Sequence, residues 1–369
     1  MLPGYYFPNE AAEPLLWHPV LFAYTLLISG ADMLILASLA YLSGSLRRAI
    51  PLMTMLGIGF FAVVLLGPLA DLRSAHRAPL IFTSAHLVST PNNPGMSLIA
   101  LQTYAWAIAL VLSIVFAILT FSYYSHQASL TATGVRRTVY QMFSLGVTTP
   151  EKYRRAGFAA KAVAVAMLLP LTLWGIYPAS MLFTQTWNPV WRGWPLLPVI
   201  YFADTFVVAT AVFILVYYLW RLKAIEREVL SPILKIHAAG SLSVAALTGL
   251  QVAVWWLWSP SMAEMVTPLL PLMYAVIGLL LLSFFLSLLS IRYPLASIAV
   301  SIVALAGTLT NKWNILINGQ LVSKTGLAFL EAELHGPWVL ETVAPAAAGI
   351  ALFILLSTVF PLEVREHGQ

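Results

Sequence analysis

The 369-residue sequence contains no cysteine. No iron–sulfur cluster, cysteine-ligated zinc, covalently attached haem or disulfide can therefore belong to this chain. Charge is scarce as well: Asp, Glu, Lys and Arg make up 9% of the residues, against about a quarter in soluble globular proteins. A water-surrounded domain of this length would lack the polar residues to cover its surface. That excludes a cytosolic enzyme, a nucleic-acid-binding protein and a disordered chain. The alternating apolar–polar segments of a membrane β-barrel are missing, as are a His-Glu-x-x-His zinc signature and a Gly-rich phosphate loop opening a helix. No internal repeat or low-complexity tract is visible, and without an inverted repeat a secondary transporter is the weaker assignment.

What the sequence has in quantity is apolar length. Hydrophobic residues make up 60% of the chain and the mean hydropathy is +0.87. A helix needs roughly 20 apolar residues to cross about 30 Å of hydrocarbon. Nine runs qualify, over 18–42, 50–70, 98–123, 157–183, 196–220, 236–258, 268–290, 294–318 and 338–361. The expected class is an all-α integral membrane protein with nine transmembrane helices. Its 12 Trp, 15 Tyr and 18 Phe suit two interfacial aromatic belts. No basic region precedes the first run, where Glu10 and Glu13 stand instead, so the start does not read as a secretory signal.

Basic residues collect in cytoplasmic loops. With the N-terminus outside and the C-terminus inside, the outer face keeps Arg73, Arg77, Arg192, Lys312 and Lys324 of the 19 Lys and Arg, and all others fall inside. The long inner loop 124–156 is basic and suited to anionic lipid. The outer segments 71–97, 184–195 and 319–337 are rich in Pro, Asn, Trp and mixed charge, as a docking surface would be.

Ionisable groups within spans are costly and mark function by default. Asp32 sits in the first span, Asp204 in the fifth, Asp71 at the outer end of the second and Lys312 near the outer end of the eighth. His18 opens the first span, and Tyr177 lies in the outer third of the fourth. Each has a structural alternative: Asp204 as the buried mate of Lys312, Asp71 as a helix end, His18 as an interfacial side chain beside Trp17, Tyr177 as part of the aromatic belt. Asp32 could bond helix backbone or serine, or join Lys161 in a proton route from the inner face. Haem would need two facing histidines well within the bilayer; only His18 and His237 lie in or beside spans, at opposite faces, so neither haem nor a protein-held metal is expected.

The stretch Gly67-Pro68-Leu69-Ala70-Asp71-Leu72-Arg73, then Arg77, His86-Leu87-Val88-Ser89-Thr90-Pro91 and Gly95-Met96-Ser97, resembles the loop between the second and third spans of the NrfD/polysulfide reductase membrane-subunit family. Leu16-Trp17-His18 resembles the family's Trp-His entrance, Ile176-Tyr177-Pro178 its Tyr-Pro step, and Lys312-Trp313-Asn314 through Asn318-Gly319-Gln320 the ending of its eighth span. The resemblance covers residues 14–320. It implies a transmembrane core over 1–320 with a quinone site, followed over 321–369 by an outer loop and an extra ninth helix.

The resemblance further implies a subunit of the cytoplasmic membrane that anchors a respiratory complex. It would oxidise quinol near the outer face and pass electrons to a four-cluster iron–sulfur subunit docked on 71–97, 184–195 and 319–337, alongside a molybdopterin catalytic subunit. The loop is most similar to the sulfur or polysulfide reductase branch. Tyr177 would donate a hydrogen bond to a quinone carbonyl. Where some members carry Asn and His after the entrance, this sequence has Leu21 and Tyr24, which leaves the second carbonyl partner open among His18, Tyr24, Asp71 and His86. Lys312 stands where arginine is usual and keeps the charge without the bidentate fork. Asp71 and Asp204 are the candidate proton acceptors. An ion-coupled transporter and a quinone-free structural anchor are the alternative functions.

Overall fold

Inside lipid every backbone N–H and C=O must be satisfied by the chain itself, and the helix does this within one segment. The computed structural model describes residues 16–71, 75–83, 97–183, 185, 188, 190–191, 196–221, 225–258, 264–323, 329–331 and 337–360. Among them are nine helices long and apolar enough to cross a membrane: His18–Ser43, Ile50–Ala70, Leu98–Thr131, Pro150–Phe183, Leu196–Trp220, Arg227–Leu257, Glu264–Ser290, Ala296–Asn318 and Trp338–Val359. They are called the first to ninth spans below. Hydroxyls within them turn back on their own helix, as Thr54 Oγ1 does to the Ile50 carbonyl (2.7 Å) and Ser113 Oγ to that of Ala109 (2.7 Å). A serine or threonine in lipid has no water to bond, and the carbonyl one turn back is the nearest acceptor.

The helices overrun the apolar runs. The third continues to Thr131, the fourth begins at Pro150 and the sixth at Arg227. Hydropathy marks where the membrane ends, whereas helical hydrogen bonding continues through polar residues into the interface. A further helix not anticipated from the sequence, Gly134–Phe143, lies between the third and fourth spans and buries none of its residues.

The chain divides into two contact units. One comprises 28–63, 76–174 and 347–369. In it the first and second spans approach closely at two glycines: a Cβ on Gly30 would stand 2.6 Å from the Gly57 carbonyl oxygen and 2.7 Å from the Phe61 nitrogen. Trp106 Nε1 donates to the Phe61 carbonyl (2.9 Å) and Trp174 Nε1 to that of Gln102 (3.0 Å), so both indoles end on main-chain acceptors. Asp32 is fully buried in this unit and Lys161 lies on an exposed face.

The other unit comprises 1–27, 64–75 and 175–346. It contains the fifth to eighth spans whole, with parts of the first, second, fourth and ninth. Ile200, Val207, Val244, Val276, Leu280 and Ala304 form one apolar core between the four complete spans. His237 pins three of them: its Nδ1 lies 2.7 Å from Thr210 Oγ1, and its Nε2 lies 2.9 Å from Ser283 Oγ and 3.3 Å from Ser241 Oγ. A second core joins Leu16, just before the first span, and Leu21 within it to Ala179, Leu182, Trp191, Tyr201, Trp255, Met273 and Ile315–Ile317.

Candidate functional site

The candidate quinone-site residues that the structure describes fall in this second unit: His18, Tyr24, Tyr177, Asp204, Lys312 and the backbone of Asp71; Asp32 and Lys161, the candidate proton route, lie in the other. His86 lies outside the described residues, as does the Asp71 side chain.

Pro19 at the first turn needs no N–H partner and suits a helix start. Three contacts fix that start. The Trp17 backbone N–H donates to Gln320 Oε1 (2.7 Å), its ring stacks on Trp191 with centroids 5.6 Å apart and planes 7° from parallel, and Trp191 Nε1 donates to the Ile315 carbonyl (2.8 Å). Asn188 ties the same region together, donating from Nδ2 to the Gly319 carbonyl (2.7 Å) and accepting at Oδ1 from the Val190 N–H (2.9 Å). Position 319 requires glycine, since a Cβ there would stand 2.5 Å from the Trp191 indole nitrogen.

The first span then leaves α-helical geometry. Ala23–Leu27 is π-helical, and so is Trp313–Asn318 directly after Lys312. Single π turns inside α-helices are frequent at functional sites because they re-aim side chains and free carbonyls. Here one carries Tyr24, and the other begins at the residue after Lys312. The second span approaches through Gly67, where a Cβ would overlap that of Ala23 and stand 3.0 Å from the Pro19 carbonyl oxygen. This contact places the helix ending at Asp71 against the start of the first span.

Asp204 and Lys312 form an ion pair, Nζ to Oδ2 2.8 Å, with neither side chain exposed. The structural alternative foreseen for Asp204 is thus the geometry observed. The ammonium also lies 3.3 Å from the centroid of the Tyr201 ring, where the negative ring face adds a cation–π attraction. Asn311 stands beside the carboxylate. Each charge alone would be costly in lipid, whereas the pair is neutral overall. Tyr24 packs against the apolar core that contains Tyr201, Ala179 and Leu182, so the first, fourth and fifth spans share this core.

Tyr201 Oη and His18 Nδ1 are buried here with no hydrogen-bond partner among the described residues. The other imidazole nitrogen of His18 is engaged, with Nε2 2.9 Å from Glu341 Oε2 in the ninth span. Sequence reasoning missed Tyr201, although it stands three residues before Asp204 and so on the same helical face. It missed Glu341 too, an ionisable residue in the first turn of a span. An orphaned buried polar atom costs about 1–3 kcal/mol unless a ligand engages it, so the set suits a small molecule carrying oxygens that donate and accept hydrogen bonds.

No family model matches the chain. It is similar to the C subunit of tetrathionate reductase from Archaeoglobus fulgidus, at 43% identity over 368 residues, covering 99% of this chain and 98% of that one. With such identity along nearly the whole of both chains, this protein belongs to the family of tetrathionate reductase C subunits and is a membrane subunit of a reductase complex.

Proposed function

We propose that this chain is the quinol-oxidising subunit of a tetrathionate reductase, holding the quinol at the start of the first span near the outer face of the cytoplasmic membrane. The observation that carries this reading is the gathering of His18, Tyr24, Tyr177, Tyr201 and the Asp204–Lys312 pair in one unit, with the buried Tyr201 Oη and His18 Nδ1 satisfied by no described residue. The full-length relative supplies the substrate class. It favours tetrathionate over the polysulfide suggested by the loop residues, both being reduced at a sulfur–sulfur bond.

A bound quinol supplies two electrons and two protons. Tyr177 and Tyr24 can orient its oxygens by hydrogen bonds, and His18 Nδ1 can accept from a hydroxyl. Asp71 and Asp204 are the carboxylates able to take up a proton. Lys312 keeps the Asp204 side neutral before that uptake. The isoprenoid tail asks only for an apolar crevice. Without cysteine the chain has no cluster of its own, so the electrons leave to a partner. We assign that partner as a four-cluster iron–sulfur subunit on the outer segments 71–97, 184–195 and 319–337, followed by a molybdopterin subunit. This arrangement puts the N-terminus outside, as the distribution of basic residues suggests.

Purification of the complex tests the reading. The expected result is co-purification of an iron–sulfur subunit, extractable quinone, and quinol-dependent tetrathionate reduction that falls about 10-fold in Tyr177→Phe, as loss of one hydrogen bond does, and about 100-fold in His18→Ala, the lower end for a positioned proton-transfer group. Wild-type rates in both variants would overturn the site assignment.

A further inference from the structure

The ninth span lies beyond the core that the sequence motifs cover, yet it reaches the site. Glu341, in the first turn of that span, places Oε2 2.9 Å from His18 Nε2. The two side chains differ in access: His18 is 14% exposed and Glu341 46%. His18 Nδ1 is buried and has no partner among the described residues. A carboxylate can only accept from Nε2, which fixes the neutral imidazole as its Nε2–H tautomer and leaves Nδ1 with a free lone pair. The buried side of the ring is therefore an acceptor, and the other side is joined to a partly exposed carboxylate in the first turn of the ninth span.

We infer that His18 and Glu341 form a proton-exit relay, in which Glu341 of the ninth span sets the tautomer of His18 and carries the released proton to the outer aqueous face. The inference rests on the quinol reading above. His18 Nδ1 takes one proton from a quinol hydroxyl, and the Nε2 proton passes to Glu341 Oε2. Glu341 then loses it to water, so one proton enters the dyad and one leaves. The two electrons go to the iron–sulfur partner already named, and the second proton to a separate acceptor. Among the described side chains of this unit, the buried charges are Lys312 and Asp204, which are paired with each other. The pair is internally neutralised, which leaves Glu341 as the only described carboxylate in contact with the imidazole. Glu341 acts through His18 and is a positioning and relay residue.

The test uses the whole purified complex in lipid nanodiscs. Glu341→Gln and Glu341→Ala are compared with wild type for turnover of a short-chain naphthoquinol, for binding of a fluorescent quinoline N-oxide as quinone analogue, and for the nitrogen-15 NMR shifts of the His18 ring without any quinone. The expected result is an unchanged KM and analogue affinity, a kcat lowered about 10-fold or more, a loss of the single Nε2–H tautomer, and recovery of Glu341→Ala turnover by added formate. A group that merely staples two helices would not be replaced by formate. Wild-type kcat in both variants, or a lowered kcat without formate recovery and with an unchanged tautomer, overturns the relay. Failure of the wild-type complex to bind the analogue or oxidise the quinol overturns the quinol reading instead.

Discussion

Lys312 Nζ lies 2.8 Å from Asp204 Oδ2, and neither side chain reaches the surface. The pair joins the eighth span to the fifth, so removing one member strands the other charge away from water. Breaking a buried pair in this way costs about 3–5 kcal/mol, whereas replacing both members by apolar residues is often close to neutral. Lys312→Met and Asp204→Leu should each lower the thermal stability of the purified protein by that order, and the double variant should recover most of it. A double variant no more stable than the sum of the two losses would mean that the pair is not mutual.

In the proposed site Tyr177 is assigned the hydrogen bond to a quinone oxygen. Tyr177→Phe removes one oxygen and keeps the ring, so the packing of the fourth span through Ala179 and Leu182 is retained. Quinol oxidation should fall about 10-fold or more while the melting temperature stays near wild type. Parallel losses of activity and stability would instead assign Tyr177 to the packing of the aromatic belt.

Gly67 is a steric requirement. A Cβ there would meet the Cβ of Ala23 and the Pro19 carbonyl, and backbone cannot yield as a flexible side chain does. Gly67→Ala should cost about 1–3 kcal/mol, as overpacking does, and should weaken quinone-analogue binding because the helix ending at Asp71 is pushed off the first span. Unchanged stability, measured by thermal denaturation, would contradict this close approach.

Trp191 both stacks on Trp17 and donates to the Ile315 carbonyl. Trp191→Phe keeps an aromatic ring and strands that acceptor within a π-helical turn. The expected loss is about 1–3 kcal/mol from the unsatisfied carbonyl. Chemical denaturation of the purified subunit measures it, and a loss below about 0.5 kcal/mol would show that the π turn does not depend on the indole.

Most of the transmembrane layout was legible because the bilayer imposes it. The second run, 50–70, coincides with the helix Ile50–Ala70, and the eighth, 294–318, ends where the helix does. Asp204 and Lys312 were legible as partners because opposite charges at similar depth on two spans have few other ways to be neutralised. Tyr24 and Tyr177 were readable only through motif resemblance, since a tyrosine in a span looks the same in a belt and in a site. The contact of His18 with Glu341 could not be read, because nothing local says which span lies beside the first. The π turns at Ala23–Leu27 and Trp313–Asn318 were equally hidden. The apolar periodicity through them is that of an ordinary helix, and a tertiary contact such as Trp191 to the Ile315 carbonyl leaves no local trace in the sequence.

The central claim is that a quinol is oxidised at a site formed by His18, Tyr24 and Tyr177. A density map of the purified complex with quinone bound tests it most directly. The expected map shows a quinone ring with one oxygen within hydrogen-bond distance of the Tyr177 hydroxyl and the other facing His18 or Tyr24. A ring bound elsewhere in the chain, or a quinone-saturated complex with these three residues engaged by protein side chains alone, would contradict it.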